Sequence, residues 1–154
     1  MLVYLAGPVF TLAERRFNEE LAVELERLCP ALQIFLPQRY DKEFHGSADF
    51  SQRMFACLIQ ALDNSEVVLA VLDGPDADSG TSFEMGYARG WGKKIIGIRT
   101  DFRGSEDHGL NLMLSNACSD LVVEPSTATT LGQLAERIVG LVRVGETLER
   151  QEEP

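Results

Sequence analysis

A loop rich in carboxylates lies near the middle of the chain. Asp73, Asp76 and Asp78 precede a stretch of glycine and hydroxyl residues, and Glu84 follows near the start of a predicted helix. In the first turn of that helix, the positive end of the helix dipole and free N–H groups would keep the Glu84 carboxylate ionised. An ionised, oriented carboxylate is suited to act as a nucleophile. The alternative interpretation is a solvated acidic loop in which Glu84 only helps to start the helix.

Two common phosphate-binding patterns are missing, one from this loop and one from the turn after the first predicted strand. No Lys-Ser or Lys-Thr follows its glycines, as a P-loop requires, and the turn after the first predicted strand, residues 7–10, lacks GxGxxG. Gly80 would instead let the backbone approach a ligand, while Ser79, Thr81 and Ser82 offer hydroxyls that can cap the helix. The carboxylates would also repel a triphosphate. The loop therefore favours a ligand without a phosphate chain.

Short apolar runs alternate with amphipathic runs along the chain, which predicts an α/β domain. The predicted strands span residues 2–6, 32–36, 67–72, 95–98 and 121–123. The first predicted helix begins at a capping box over residues 11–14. Further helices are predicted over residues 49–62, 79–90, 110–116 and 130–144. Five apolar strands separated by helices indicate a five-stranded parallel sheet covered on both faces. We expect a single three-layer, doubly wound domain of the flavodoxin or Rossmann type.

In such sheets, ligands bind beyond the carboxyl ends of the strands. The loops that reach this edge are predicted at residues 7–11, 37–49, 73–84 and 99–111. The carboxylate-rich loop is one of them, so the elements would place it where a site is expected.

The composition limits the classes of partner. The 154 residues include 14 Lys and Arg against 24 Asp and Glu, for a net charge of −10. An acidic chain without a basic stripe is a poor candidate for binding a nucleic-acid polymer or an anionic membrane. No segment approaches the ~20 consecutive apolar residues that a membrane span needs. We expect one domain over residues 1–145, followed by an acidic tail over residues 146–154.

Cysteines and histidines are too few and too scattered for a structural metal site. Cys29, Cys57 and Cys118 form no CxxC pair, and His45 and His108 are the two histidines. We therefore expect no metal. Three lone thiols behind an N-terminus that does not resemble an export signal favour a cytoplasmic location.

Four stretches together resemble the nucleoside 2-deoxyribosyltransferases and related N-glycosidases of nucleosides and nucleotides. They are YLAGP at 4–8 with Phe10, DG at 73–74 with DSGTSFEMGY at 78–87, TDFR at 100–103, and NLM at 111–113. The resemblance covers roughly residues 2–125. It implies an enzyme that moves a 2-deoxyribosyl group between nucleobases. The implied partners are small nucleosides and free nucleobases, with no metal or organic cofactor.

The resemblance implies three catalytic roles. Glu84 would attack C1′ of the sugar and form a covalent glycosyl intermediate, which a second base or water resolves with retention of configuration. Asp78 would help to hold the sugar, and Tyr4 would orient Glu84 through its hydroxyl. The alternative for Tyr4 is a strand aromatic packed in the core.

Asn111 and Met113 carry an implication about assembly. In the transferases, the Asn of the NLM triplet reaches from a neighbouring subunit to the sugar 5′-hydroxyl. The triplet therefore implies an unphosphorylated nucleoside and a homo-oligomer with shared sites. The alternative for Asn111 is a helix N-cap.

The remaining predicted contacts concern the base and the sugar. Phe10 could stack on a base, the Gln38 amide suits a base edge, and Phe44 and His45 lie in a loop that could cover the site. The full set of predicted substrate contacts is Gly7, Pro8, Phe10, Gln38, Asp73, Gly80, Asn111 and Met113.

One position departs from the family pattern. The family commonly has an Asp on the helix before the third strand, as a general acid for the leaving base, and an ungapped match places Leu58 there beside Cys57. Asp41, Asp73 or Asp76 would then supply the proton, or leaving-group activation would be weak. Two alternatives to transfer therefore stay open. One is an N-glycoside hydrolase of nucleosides or nucleoside 5′-monophosphates, and the other is a catalytically impaired nucleoside-binding module.

Overall fold

The computed structural model describes residues 1–44, 46–103 and 110–149. Its strands are β1 (Leu2–Ala6), β2 (Gln33–Phe35), β3 (Val67–Val71), β4 (Lys94–Arg99) and β5 (Asp120–Val123). They form one all-parallel sheet in the order β2-β1-β3-β4-β5. This is the strand order of flavodoxin-like doubly wound folds, so the predicted fold class is confirmed.

The helices largely follow the amphipathic runs. They are α1 (Leu12–Leu28), α2 (Asp41–Phe44), α3 (Phe50–Asn64), α4 (Ser79–Gly90), α5 (Leu112–Ala117) and α6 (Leu131–Glu149), with a 3-10 turn at Pro37–Arg39. The α1 capping box is confirmed, because Glu14 N donates to Thr11 Oγ1 at 3.2 Å and Thr11 N donates to Glu14 Oε2 at 2.7 Å. No helix in the described ranges is long and apolar enough to cross a membrane.

The last helix runs further than its pattern predicted. α6 extends to Glu149, past the expected end at residue 144. The division into a domain over residues 1–145 and a tail over 146–154 stays a prediction, and residues 150–154 lie outside the described chain.

The sheet divides the core into two clusters, because alternate side chains of a strand point to opposite faces. Val3 and Leu5 of β1 pack on the face covered by α1 and α6. Tyr4 and Ala6 pack on the face covered by α3, α4 and α5. The chain turns towards β2 after β1 and towards β4 after β3, so the two crossovers diverge at the carboxyl ends of β1 and β3. Doubly wound folds bind ligands at this switch point.

Candidate active site

A hydrogen bond between a strand and a helix lies at the centre of the candidate site. The Tyr4 hydroxyl, in the middle of β1, donates to Glu84 Oε1 on α4 at 2.5 Å. Tyr4 has no exposed surface, and Glu84 is half-buried. A distance this short is characteristic of a hydroxyl that donates to a carboxylate. The structure therefore brings together two of the three residues predicted to be catalytic. After that prediction we call Tyr4 and Glu84 the catalytic pair.

Burial controls the charge of the catalytic pair. Burial raises the pKa of Glu84 from 4.5 to about 7, the Tyr4 hydrogen bond opposes this rise, and the negative charge of Asp78 adds to it. Burial, and then the charge of Glu84, raise the pKa of Tyr4 well above its usual range. Tyr4 thus stays a protonated donor, while Glu84 titrates near neutral pH. Strongly shifted groups of this kind are concentrated at functional sites.

The expectation that a first-turn position keeps Glu84 ionised is wrong. α4 begins at Ser79, so Glu84 lies in its second turn, and no acidic residue occupies the first turn. The influence of the helix dipole falls off within the first turn. Burial between β1 and α4 therefore prevails, and the pKa of Glu84 rises instead of falling.

Asp78, the third predicted catalytic residue, caps α4. Its Oδ2 accepts from Thr81 N at 2.8 Å and from the Thr81 hydroxyl at 3.2 Å. Gly80 lies four residues before Glu84 and so occupies the same side of the helix, one turn earlier. A Cβ at Gly80 would lie 3.0 Å from Asp78 Oδ2, so glycine leaves room for the cap.

Hydrogen bonds join the loops after β3 and β4. We call this group the loop clamp; its members are Asp73, Gly74, Arg99, Thr100 and Asp101. The Asp73 carboxylate accepts from Thr100 N at 2.6 Å, the Thr100 hydroxyl at 2.5 Å and Asp101 N at 2.8 Å. Gly74 N donates to Asp101 Oδ2 at 3.1 Å, and buried Arg99 donates to the Gly74 carbonyl at 2.8 Å. Gly74 has φ +114°, a conformation that favours glycine. Asp73 thus holds the loop that leads into α4.

A cavity of about 510 Å³ opens on the other face of the sheet, between α1 and the loop clamp. We call it the α1-side cavity. Pro8 and Asp73, both predicted substrate contacts, line it together with Val71, and Glu84 does not. The Val71 side chain belongs to the core beneath α1, whereas Tyr4 belongs to the core beneath α4. The sheet therefore separates this cavity from the catalytic pair.

Three other residues that were predicted to contact the substrate lie away from both the α1-side cavity lining and the catalytic pair. A Cβ on Gly7 would lie 3.2 Å from Val71 Cβ, so this glycine permits close packing against β3. Gln38 Nε2 donates to the Arg15 carbonyl at 2.8 Å and ties the 3-10 turn to α1. Phe10 is 77% exposed before the start of α1. None of these contacts joins the catalytic pair directly.

Asn111 is the N-cap of α5. Its Oδ1 accepts from Met113 N at 2.8 Å, so Asn111 caps the helix, and its contact with a sugar stays a prediction. Met113 is 74% exposed. A second cavity, of about 360 Å³, lies between α5 and the start of α4, and its lining includes Asp76, Ser79, Ser82 and Asn111.

The sequence analysis did not single out Glu43, an exposed carboxylate on α2. Cys57 packs against the cluster that contains Tyr4, and it contributes to the raised pKa of Tyr4. Burial, and then the charge of Glu43, raise the pKa of Cys57. The charge of Glu43 on α2 thus acts on Cys57 of α3, the helix against which α2 packs. The loop over residues 37–49 was predicted to reach the ligand edge, and this was the signal available for finding Glu43.

The residues predicted to cover the site or donate a proton have mixed outcomes. Asp41 pairs with Arg15 at 2.8 Å. His45, His108 and the Phe44 side chain lie outside the described residues. Across the described ranges, no group of three or more His, Cys, Asp or Glu residues could hold a metal ion.

An aromatic row runs along the outer side of α3 and α4. It consists of Phe55, Phe83, Tyr87 and Trp91, and successive ring centroids are 6.3, 6.4 and 6.5 Å apart. Phe83 is 53% exposed and Trp91 is 69% exposed. A contiguous exposed apolar surface of this kind is typical of an interaction site.

Comparison with solved structures supports the fold. The chain is similar to a conserved protein from Enterococcus faecalis V583, with 25% identity, a TM-score of 0.67, and coverage of 89% of this chain and 98% of that one. It is also similar to a 2-deoxyribosyltransferase from Bacillus psychrosaccharolyticus, with 19% identity, a TM-score of 0.66, and coverage of 80% and 87%. A CMP N-glycosidase from Clostridium botulinum has 17% identity, a TM-score of 0.60, and coverage of 90% and 98%.

Comparison of sequences identifies the family. No curated protein matches the chain. The family profile described as nucleoside 2-deoxyribosyltransferase matches residues 3–114, a span that includes the catalytic pair, the loop clamp and Asn111. The predicted resemblance is thereby confirmed, and the chain belongs to the nucleoside 2-deoxyribosyltransferase family of nucleoside-processing enzymes.

Proposed function

We propose that the protein transfers a 2-deoxyribosyl group between nucleobases, with Glu84 as the nucleophile. The observation that most supports this proposal is the 2.5 Å hydrogen bond from Tyr4 to Glu84. In the first step, a Glu84 oxygen bonds to C1′ and the C1′–N bond breaks, so that its electron pair leaves with the base. In the second step, a nitrogen of the incoming base bonds to C1′ and the Glu84 carboxylate departs. Two displacements retain the configuration at C1′.

The local charge favours an uncharged nucleoside as the substrate. Both displacements pass through transition states with positive charge on the sugar, which Glu84 and Asp78 can stabilise. A 5′-phosphate would be repelled by these carboxylates and by Asp76 in the neighbouring cavity. We therefore propose nucleosides and free nucleobases as the ligands.

We also propose a homo-oligomer in which Asn111 and Met113 serve the site of a neighbouring subunit. Two observations support it. Met113 is exposed beside Asn111, and the aromatic row presents an apolar surface that includes Phe83, the residue before Glu84 in the sequence. A second copy covering this surface would remove exposed aromatic area from water.

The direct test is incubation of the full chain with 2′-deoxyinosine and cytosine, with the products separated by chromatography. Formation of 2′-deoxycytidine and hypoxanthine is the expected result. Formation of hypoxanthine and free 2-deoxyribose without a new nucleoside would show that the protein hydrolyses the nucleoside and does not transfer the sugar. Binding without either product would contradict both enzyme functions and favour a binding module.

Hydrolysis of the N-glycosidic bond is the second candidate function. The raised pKa of Glu84 favours it, since a carboxyl group that titrates near pH 7 can also act as a general base towards water. The same incubation measures the ratio of exchange to hydrolysis directly.

We propose Glu43 as the proton donor to the leaving base, since Leu58 cannot donate a proton and the charge of Glu43 acts on the neighbouring Cys57. We expect Glu43→Gln to slow cleavage of 2′-deoxyinosine by roughly 10²-fold, in line with the loss of a general acid. Cleavage of 7-methyl-2′-deoxyguanosine, whose base leaves without protonation, should be nearly unchanged. Asp76→Asn is the matched control, and it should change the cleavage rates of the two substrates by the same factor. An equal loss on both substrates would contradict this role for Glu43.

The pH dependence should follow the ionisation of Glu84. Because attack requires the carboxylate, kcat/KM is expected to rise about tenfold per pH unit up to a pKa of about 7 and then level off. Asp78→Asn keeps a helix cap but removes the negative charge that adds to the effect of burial on the pKa of Glu84, so the rise should move to lower pH. A rate independent of pH between 5 and 8, measured at about one-unit steps, would contradict Glu84 as the nucleophile.

Stability should change with pH in the opposite direction. The folded chain holds the Glu84 proton more tightly than the unfolded chain, because the pKa rises from 4.5 to about 7 on folding. This contribution is complete below the unfolded pKa and is lost as the pH rises to about 7. Urea unfolding of the wild type and of Glu84→Gln across this pH interval would measure the contribution of Glu84 to the free energy of unfolding.

A further inference from the structure

Three stacked aromatic rings connect the catalytic pair to the segment that follows β2. The centroid of the Phe35 ring lies 5.2 Å from that of Tyr4, and the two ring planes differ by 19°. The centroid of the Tyr40 ring lies 4.5 Å from that of Phe35, and these planes differ by 14°. We call Tyr4, Phe35 and Tyr40 the inner stack. Near-parallel aromatic rings at such separations attract one another beyond the effect of burial alone.

The sheet and one short turn build the inner stack. Phe35 is the register partner of Tyr4 across the parallel pair of β1 and β2, so the two side chains lie on the same face of the sheet. The 3-10 turn over Pro37–Arg39 then ends at Tyr40, whose N donates to the Pro37 carbonyl at 3.0 Å. This turn brings the Tyr40 ring against Phe35. The backbone therefore fixes the place of all three rings.

Phe35 can act on the reaction through Tyr4. It has no group that could bind a sugar hydroxyl or exchange a proton, it is 8% exposed, and it packs in the cluster that contains Tyr4. The Tyr4 hydroxyl lies at the far end of a rigid ring, so a small tilt of that ring changes the distance of 2.5 Å to Glu84 Oε1. Catalytic groups must be held to within about 0.5 Å of their productive geometry by packed neighbours.

The charge of Glu84 reports on the position of the Tyr4 ring. Burial raises the pKa of Glu84 from 4.5 to about 7, the Tyr4 hydrogen bond opposes this rise, and the charge of Asp78 adds to it. On the α3 side, Cys57 acts on the pKa of Tyr4. Among these groups, Tyr4 is the member of the inner stack. A tilted Tyr4 ring would therefore weaken the influence that holds the pKa of Glu84 down.

We propose that Phe35 is a positioning residue for the reaction. Its ring holds the Tyr4 ring at the angle from which the hydroxyl reaches Glu84, and Tyr40 supports the Phe35 ring from the end of the 3-10 turn. The proposal rests on the proposed function, in which Glu84 is the nucleophile. It assigns to β2 a part in catalysis, although no β2 side chain belongs to the catalytic pair.

The first test compares Phe35→Leu with Ile34→Ala in the full-length protein. Ile34 precedes Phe35 on β2, is similarly buried at 7% exposure, and packs in the cluster on the opposite face of the sheet. Its truncation is therefore the control for a general loss of core packing. NMR of protein with ¹³C-labelled glutamate follows the titration of the Glu84 carboxyl, whose signal is assigned by its absence from Glu84→Gln. Phe35→Leu is expected to raise the pKa of Glu84, and Ile34→Ala to leave it unchanged.

The second test is base exchange between 2′-deoxyinosine and cytosine. We expect Phe35→Leu to lower kcat about tenfold and to leave KM within about twofold of the wild type, because a misplaced catalytic group slows the chemical step. Phe35→Tyr keeps a ring in the inner stack and should restore most of the lost kcat. Ile34→Ala should lose stability in urea but keep kcat within about twofold of the wild type.

A second variant and the independence of the two tests keep the proposal falsifiable. Should Phe35→Leu fail to fold, Tyr40→Leu removes the outer support and should shift the pKa of Glu84 and kcat in the same directions by smaller amounts. An unchanged pKa and kcat in these variants, or equal changes in Ile34→Ala, would overturn the proposal. The NMR titration needs no turnover. Absence of base exchange in the wild type would reject the proposed function, while a raised Glu84 pKa in Phe35→Leu would still support the hold of Phe35 on the catalytic pair.

Discussion

Glu84→Gln is expected to lower the rate of base exchange by at least about 10⁴-fold, the scale seen when a nucleophile is removed. The amide keeps the shape of the side chain and can still accept the Tyr4 hydrogen bond, but it does not attack C1′. Because the substitution also removes a half-buried charge, the folded state should be at least as stable as the wild type at pH 8. Initial rates with 2′-deoxyinosine and cytosine, together with urea unfolding, measure both effects.

Tyr4→Phe tests the other member of the catalytic pair. It keeps the nucleophile but removes the hydrogen bond that opposes the rise in the pKa of Glu84. We expect a rate loss of roughly 10–10²-fold and an activity rise displaced to higher pH. Exchange by Glu84→Gln within tenfold of the wild type would exclude Glu84 as the nucleophile.

Asp73→Ala is expected to destabilise the protein by about 3 kcal/mol, because three donors in the loop clamp lose a charged acceptor. Asp73→Asn keeps one carbonyl oxygen for the two backbone amides and should cost about half as much. Asp76→Ala is the control, since among the described residues Asp76 accepts a hydrogen bond only from the neighbouring Ala77 N, at 3.0 Å. Surface substitutions of that kind change stability by about 0.5 kcal/mol or less. Urea unfolding midpoints compare the three variants.

The same substitution should affect catalysis through the position of α4. The loop held by Asp73 leads to Asp78, the cap of the helix that carries Glu84. We therefore expect Asp73→Ala to lower kcat more than it raises KM. Equal stability and activity of Asp73→Ala and Asp76→Ala would show that the loop clamp supports neither.

Sequence patterns predicted the elements well where the signal was local. The unbroken apolar run at 67–72 identified β3, which lies between β1 and β4 and has every residue buried. α4 begins and ends where its pattern predicted, at Ser79 and Gly90. The short turns between residues 37 and 44 were missed, because segments of three or four residues carry too little periodicity.

The site was less predictable because its properties depend on tertiary contacts. Tyr4 and Glu84 are 80 positions apart, so their hydrogen bond was expected from the resemblance and not from spacing. The predicted charge state of Glu84 was wrong, because the effect of burial between two elements on its pKa outweighs the effect of its place on the helix. The role of Asp73 in joining two loops also depends on the neighbouring strand, which its own stretch of sequence does not reveal.

The aromatic row has a consequence for the behaviour of the enzyme in dilute solution. If a second copy covers Phe83 and Trp91, and the neighbour supplies Asn111, complete sites exist only in the assembled state. Assembly obeys mass action, so dilution would reduce the fraction of competent sites and lower the activity per chain. Catalytic constants would then depend on the protein concentration of the assay, while a chain that needs no neighbour would give the same specific activity at every dilution.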